Sequence, residues 1–96
     1  MMYGTIAKLR AKPGKIEELK QWAERFDSPP GGVAMSAYQM DADPNELYIA
    51  VLFESREAYV ANAESPGQHE QYLQMMQFLE GEPKWHDGEI VSHRQF

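Results

Sequence analysis

The seven residues LYIAVLF, at positions 47–53, contain no charged side chain. This length is typical of a strand and short for a helix, and the aromatic and β-branched residues favour an extended backbone. Successive side chains of a strand point to opposite faces, and here the odd-numbered and the even-numbered positions are both apolar. A strand with one wet face normally alternates apolar with polar residues. The segment therefore predicts a central strand that is covered on both faces.

The composition predicts one globular domain, residues 1–96, with 43% hydrophobic and 11% aromatic residues. The net charge of −6 and the pI near 4.9 argue against nucleic acid or an anionic membrane as a partner, because both attract basic surfaces. No apolar run approaches the roughly 18 residues of a membrane span, and the N-terminus lacks the pattern of a signal peptide. Cysteine is absent, as is common in cytoplasmic proteins. We expect a soluble, cytoplasmic protein.

On the N-terminal side of the central strand, the pattern predicts a strand, a helix and another strand. Residues 2–10 form the first strand, and residues 15–27 form a helix because their apolar positions recur every three or four residues. Residues 33–40 form the next strand. The connection 41–46 is rich in turn-forming residues, which predicts an antiparallel hairpin with the central strand.

On the C-terminal side, two serines mark the starts of two helical segments. Ser55 is placed to cap a short helix over residues 56–63, and Ser65 precedes proline and glutamine at the first and third helical positions. Residues 84–88 are predicted as a loop and residues 89–96 as the last strand. In the second helical segment five residues share one face at spacings of three and four: His69, Tyr72, Leu73, Met76 and Leu79.

The resulting order is β-α-β-β-α-β, which predicts an α+β, ferredoxin-like fold with a four-stranded antiparallel sheet. Helices would cover one face of this sheet. On the other face, Tyr48 and Leu52 would each forgo about 1.5–3 kcal/mol of burial if they stayed in water. We therefore expect a homodimer whose two sheets pack together into a dimeric α/β barrel. The alternative is a monomer with a moderately apolar exposed sheet.

Three segments resemble the antibiotic biosynthesis monooxygenase family of the dimeric α/β-barrel proteins. They are Lys12-Pro13-Gly14-Lys15 after the first strand, residues 53–62 followed by Ser65-Pro66, and residues 82–85 leading to Asp87-Gly88-Glu89. The resemblance implies a homodimer with a pocket between sheet and helices in each subunit. Members include cofactor-free oxygenases of phenolic or quinol substrates, haem-degrading enzymes and proteins with no known reaction.

The sequence departs from the functional patterns of the family at several positions. Quinol-oxidising members often have histidine where Asn62 stands. Aromatic-polyketide oxygenases resemble this chain at Tyr59 but have asparagine in place of Ile49 and tryptophan in place of Phe53. The asparagine and tryptophan that haem-degrading members require appear here as Ala7 and Asn62, which disfavours haem.

Four polar residues are the candidate catalytic set: Tyr59, Asn62, His69 and Tyr72. A cofactor-free oxygenase needs a base that deprotonates a phenol or quinol, and donors that hold the developing oxyanion. Histidine can act as the base near neutral pH, while tyrosine and asparagine can donate hydrogen bonds. The structural alternatives are a histidine at the rim of a helix, two tyrosines that pack in the core and an asparagine that ends a helix.

Several other residues have a structural and a functional interpretation. Met35, Met40, Met75 and Met76 suit an adaptable apolar wall, although methionine commonly fills gaps in a core. Trp85 is expected to plug the base of the helices. We expect His86-Asp87 to be a solvated turn, and His93 to lie on the last strand in a surface or interface role.

The motifs of metal and phosphate sites are absent. Asp41-x-Asp43-x-Asn45 begins like a calcium loop, but the glycine and the bidentate glutamate of that loop are missing. The three histidines lack metal-ligand spacing, and the chain has neither a phosphate-binding glycine loop nor a Ser–His–Asp signature. We expect no metal and no organic cofactor.

Two functions follow from these observations. One is a cofactor-independent monooxygenase acting on a small aromatic or quinol-like substrate in a sheet–helix pocket. The other is a non-enzymatic, ligand-binding or structural homodimer; an isomerase or lyase on this fold is not separated from the first. A cavity of about 300 Å³ or more between sheet and helices distinguishes the oxygenase from a dimer whose pocket is packed shut.

Overall fold

The computed structural model describes residues 1–96 and contains four strands and three helices. The elements in chain order are β1 (Tyr3–Arg10), α1 (Ile16–Glu24), β2 (Gly32–Gln39), β3 (Glu46–Phe53), α2 (Arg56–Ala63), α3 (Pro66–Met76) and β4 (Lys84–Glu89). This confirms the predicted β-α-β-β-α-β order, with the second helical region divided into α2 and α3. No helix combines the length and the hydropathy that crossing a membrane requires.

The four strands form one sheet in the order β2-β3-β1-β4, and every neighbouring pair is antiparallel. The ferredoxin-like fold is therefore confirmed. The predicted central segment is β3, which pairs with β2 on one side and with β1 on the other. In the β1–β3 register, Leu9 lies opposite Leu47 and Ala7 opposite Ile49, so the apolar residues of both central strands share one face.

The prediction for the last strand was wrong. β4 comprises Lys84–Glu89, which was predicted mainly as a loop, and each of its six residues lies opposite a residue of β1. After β4, the backbone N–H of Ile90 donates a hydrogen bond to the carbonyl of Met2. Residues 91–96 make no backbone hydrogen bond and are exposed. Intrinsic propensity favoured the Ile-Val pair of residues 90–91 as strand, but backbone pairing with β1 decides which residues form the strand.

This shift changes the surroundings of four residues. Trp85, His86 and Asp87 lie on a strand rather than in a loop or a solvated turn, and Trp85 and Asp87 lie on the helix side of the sheet. Trp85 is still 41% exposed, so it does not plug the base of the helices. His93 lies beyond β4 and not on the last strand.

The hydrophobic core lies between the sheet and the helices. It joins apolar residues of β1 and β3 to Leu19 of α1 and Met75 of α3, all of them almost fully buried. The α3 helix ends at Met76 and does not include Leu79, which was predicted to lie on its inner face. Leu79 is nevertheless buried, and its backbone forms an isolated antiparallel β-bridge with Ala11. We call this helix side of the sheet the covered face.

The opposite side, which we call the open face, carries no helix. Ile6 is 54% exposed and Tyr38 is 57% exposed, while Tyr48 and Ala50 are half-buried. Leu52 alone among the apolar residues of β3 on this face is buried. The sheet thus presents apolar side chains on both sides but covers only one of them within the chain.

Candidate functional site

A cavity of about 380 Å³ opens between the covered face and the three helices. It exceeds the volume that distinguishes an open pocket from a packed one, and 11 of its 16 lining residues are hydrophobic. A mostly apolar cavity with a few polar groups is the usual form of a small-molecule site. The lining residues are Thr5, Trp22, Phe26, Met35, Ile49, Val51, Phe53, Tyr59, Asn62, Ala63, Gln68, His69, Tyr72, Met75, Trp85 and Asp87.

Aromatic and methionine side chains form the apolar wall. Trp22 of α1 and Phe26, just beyond the end of this helix, meet edge to face, with ring centroids 5.6 Å apart. Of the four methionines considered either as an adaptable wall or as core filling, Met35 and Met75 line the cavity, whereas Met40 and Met76 do not. The wall is therefore built from α1, α3 and the sheet together.

All four predicted catalytic residues, Tyr59, Asn62, His69 and Tyr72, line this cavity. Two serine caps hold the helices that carry them, as predicted. Ser55 Oγ accepts a hydrogen bond from the Ala58 N–H at 3.1 Å and caps α2, and Ser65 Oγ accepts one from the Gln68 N–H at 3.3 Å and caps α3. The fold brings the set together, while the role of each member stays a prediction.

Tyr59 is held firmly in the wall of the cavity. Its ring packs between Tyr3 and Phe53, with centroids 5.3 Å and 5.5 Å away. Its hydroxyl donates a hydrogen bond to Asp87 Oδ1 at 2.8 Å. Burial and, next, this bond raise the pKa of Tyr59 to about 12, against an opposing contribution from the Thr5 hydroxyl. Tyr59 therefore keeps its proton at neutral pH and directs it at Asp87.

Asn62 lies at the junction of α2 and α3. Its Nδ2 donates to Gln68 Oε1 at 3.3 Å, and its carbonyl accepts a 2.7 Å hydrogen bond from Ser65 Oγ. The Gln68 side chain therefore turns to Asn62 instead of completing a capping box on Ser65. One N–H of the Asn62 amide is left without a partner in the protein.

His69 and Tyr72 approach the cavity from α3 in different ways. His69 lies in the first turn of the helix and is exposed, and no hydrogen bond from the protein fixes its ring. Tyr72, one turn later, is half-buried and packs against the hydrophobic core. The histidine is thus accessible from solvent and from the cavity, while the tyrosine ring is part of the cavity wall.

Three polar residues of the cavity were not predicted from the sequence as site residues: Thr5, Gln68 and Asp87. Gln68 is the partner of Asn62, whereas Thr5 and Asp87 form a pair of their own. Their Cα atoms are partners in the β1–β4 register, so both side chains lie on the covered face. The Thr5 hydroxyl is buried and makes no hydrogen bond of good geometry. Asp87 is the only acidic residue of the lining, which contains no lysine or arginine. The missed signal was the position of β4, because a strand at 84–89 places Asp87 opposite Thr5.

No group of three or more histidine, aspartate and glutamate side chains is arranged to hold a metal ion. The sequence matches no family model and none of the curated proteins. Comparison with solved structures, in contrast, finds the same fold over nearly the whole chain.

Three of these structures define the resemblance. A protein from Chloroflexus aurantiacus, provisionally named an antibiotic biosynthesis monooxygenase, has a TM-score of 0.82 and 24% identity, covering 99% of this chain and 98% of its own. A protein of the same provisional name from Nitrosomonas europaea has a TM-score of 0.80 and 18% identity, with 94% and 90% coverage. SnoaB, a cofactor-independent oxygenase from Streptomyces nogalater, has a TM-score of 0.77 and 12% identity, with 96% and 95% coverage. The chain has the fold of these antibiotic biosynthesis monooxygenase proteins, as the sequence resemblance predicted.

Proposed function

We propose that this protein is a cofactor-independent monooxygenase that acts on a small aromatic or quinol-like substrate in the cavity above the covered face. The substrate anion supplies the electrons that dioxygen needs. One oxygen atom enters the substrate, and the other leaves as water with two hydrogens of the substrate. The protein has to bind the aromatic ring, remove a proton and hold the resulting negative charge.

One observation carries the proposal: the predicted polar set lines the same 380 Å³ cavity as an apolar wall that includes Met35 and Met75. An aromatic ring is apolar over its faces and polar only at its hydroxyl groups, so it matches a lining of this composition. The cofactor-independent oxygenase among the proteins of this fold agrees with the proposal.

The geometry suggests a role for each residue. His69 is the base, because it is accessible and histidine exchanges protons near neutral pH. Asn62 retains a free amide N–H and Tyr72 a hydroxyl without a partner, so both can donate hydrogen bonds to the oxyanion. Tyr59 has a different role from the one first considered, since its only proton is directed at Asp87.

We further propose that the protein is a cytoplasmic homodimer in which the open faces of two sheets pack together. The support is the exposure of Ile6 and Tyr38 beside the half-buried Tyr48, which together leave apolar side chains of three strands in water. A second copy presents the same apolar surface and can cover it, because a twofold interface is self-complementary.

Oxygen uptake with a panel of hydroquinones tests the proposed reaction, with buffer alone correcting for autoxidation. We expect His69→Ala to lower the enzymatic rate by at least about a hundredfold, the usual contribution of a general base. His93→Ala is the matched control, since this histidine lies in the exposed C-terminal segment. Uptake no faster than in buffer for every compound, or equal losses in the two variants, would contradict the proposal.

A binding protein without turnover is the second candidate. It is favoured by the ring of His69, which no hydrogen bond holds in the orientation that a catalytic base normally has. Saturable binding of the same hydroquinones, without oxygen uptake, would select this function over the oxygenase.

A further inference from the structure

We propose that Asp87, held by Tyr59, forms an anchoring subsite that accepts a hydrogen bond from a hydroxyl group of a neutral ligand. This inference rests on the cavity being the ligand site of the proposed function, and it gives Asp87 a role that the sequence resemblance does not supply. It also predicts which ligands the cavity rejects.

The carboxylate of Asp87 has a free acceptor. Its Oδ1 accepts the proton of Tyr59 at 2.8 Å, whereas Oδ2 has no partner in the protein. No lysine or arginine forms an ion pair with it. A carboxylate without a cation at the edge of an apolar cavity favours a ligand that brings an O–H or N–H donor.

The hydroxyl of Tyr59 also presents an acceptor and not a donor. Since its single proton points at Asp87, the remaining lone pairs of the oxygen are directed elsewhere. Thr5, opposite Asp87 in the β1–β4 register, contributes a buried hydroxyl that makes no hydrogen bond of good geometry and that lowers the pKa of Tyr59. A ligand beside Asp87 therefore meets acceptors on both Tyr59 and Asp87.

The polar groups around Asp87 differ from those at the α2–α3 junction. The junction carries the free amide N–H of Asn62 and the ring of His69, groups that can receive or stabilise a negative charge. A phenolate beside Asp87 would be repelled, because the two like charges would face each other in a largely apolar lining. A ligand with two hydroxyl groups would thus be anchored through one of them at Asp87 and would react at the other, beside Asn62 and His69.

The test uses three methoxybenzenes that differ in the group opposite the methoxy group: a hydroxyl in 4-methoxyphenol, a second methoxy group in 1,4-dimethoxybenzene and a carboxylate in 4-methoxybenzoate. The indole N–H signals of Trp22 and Trp85 report binding in ¹⁵N-labelled protein, because both tryptophans of the chain line the cavity. We expect 4-methoxyphenol to bind about five- to tenfold more tightly than 1,4-dimethoxybenzene, the effect of one hydrogen bond to a partly solvated carboxylate. We expect 4-methoxybenzoate to bind more weakly than either.

Asp87→Asn should reduce the preference for the phenol below about twofold and strengthen binding of the benzoate, because the charge and the free acceptor are removed. Glu57→Gln makes the same change of charge on the exposed side of α2, outside the cavity, and should leave all three affinities unchanged. Both positions are exposed, and Asp87 lies on the edge strand β4, so neither variant removes core packing.

The outcomes separate this inference from the proposed reaction. A phenol preference that disappears only in Asp87→Asn supports the anchoring subsite, even if no oxygen is consumed. Equal affinities for the phenol and the diether in the unmodified protein, or an unchanged preference in Asp87→Asn, would overturn it while leaving the oxygenase proposal open. Indole signals that do not respond to any of the three compounds would overturn both the subsite and the cavity as a ligand site.

Discussion

The two faces of the sheet have similar apolar side chains but different surroundings. On the covered face, Leu47 and Ile49 of β3 are 2% and 4% exposed beneath the helices. On the open face, Tyr48 and Ala50 of the same strand are only half-buried, and the neighbouring Tyr38 is 57% exposed. The chain supplies enough helix for one layer and builds its cavity there. The comparison shows that an apolar strand pattern predicts which faces of the sheet need a covering layer. It does not predict whether a helix of the same chain or a second subunit provides that layer.

The largest expected effect is on the free energy of unfolding, and it distinguishes two adjacent residues that point to opposite faces of the sheet. Leu47→Ala should lower the free energy of unfolding by about 2–5 kcal/mol at every protein concentration, because it leaves a void in the core of the chain. Tyr48→Ala should cost less in dilute protein and more as the concentration rises, if a second copy covers the open face. Urea unfolding at several protein concentrations measures both. Equal losses that do not depend on concentration would contradict the distinction between the faces.

A charge on the open face should dissociate the proposed dimer. Tyr38 lies opposite Tyr48 in the β2–β3 register, so Tyr38→Lys would bury an unpaired ammonium between the two sheets. Sedimentation should then give one chain of 11.0 kDa, against twice this mass for the unmodified protein.

Leu73→Lys is the matched control for this change, because Leu73 is 52% exposed but lies on α3, away from the open face. We expect Leu73→Lys to sediment with the mass of the unmodified protein. If the unmodified protein itself sediments as one chain at micromolar concentration, the sheet–sheet dimer is wrong.

A smaller effect tests how the helices stay above the covered face. Ser55→Ala removes the oxygen that accepts the Ala58 N–H at the start of α2 and should lower the free energy of unfolding by about 1 kcal/mol. Ser28→Ala serves as the control, since Ser28 is exposed between α1 and β2 and its hydroxyl makes no hydrogen bond. Thermal or urea unfolding compares the two variants, and a Ser28→Ala loss as large as that of Ser55→Ala would argue against the cap.

The smallest effect concerns the pH dependence of stability. The pKa of Tyr59 rises from 10.0 to about 12 on folding, so the folded state favours the protonated hydroxyl. Its contribution to stability is therefore complete below pH 10 and is lost as the pH rises towards 12. The stability difference between the unmodified protein and Tyr59→Phe should shrink over that interval. A difference that stays constant in alkaline unfolding experiments would contradict the raised pKa of Tyr59 and the burial and hydrogen bond that cause it.

Much of the fold was predictable, because the spacing of apolar residues and the positions of turn and cap residues indicate the same elements along most of the chain. The apolar spacing before residue 27, the turn between β2 and β3, and the two serine caps are local signals, and the structure contains each element that they predict. The last strand was misplaced because Lys84–Glu89 contains aspartate and glycine, which are rare in strands. Its pairing with β1, more than 70 residues away along the chain, outweighs local propensity.

The same limit applies to the candidate site. Tyr59, Asn62, His69 and Tyr72 were predictable because helical spacing and caps place them on the inner sides of α2 and α3, and all four line the cavity. Thr5 and Asp87 were not predicted, since they become neighbours only through the register of β1 with β4. Asp87 was interpreted as part of a solvated turn, and only the position of β4 shows that it lies on the covered face.

A crystal structure of the protein with 4-methoxyphenol tests the central claim most directly. We expect the ring to lie between Trp22 and Trp85 in the cavity above the covered face, with its hydroxyl within hydrogen-bonding distance of Asp87. A ligand bound on the open face, or a cavity closed by its own side chains in saturated crystals, would contradict it.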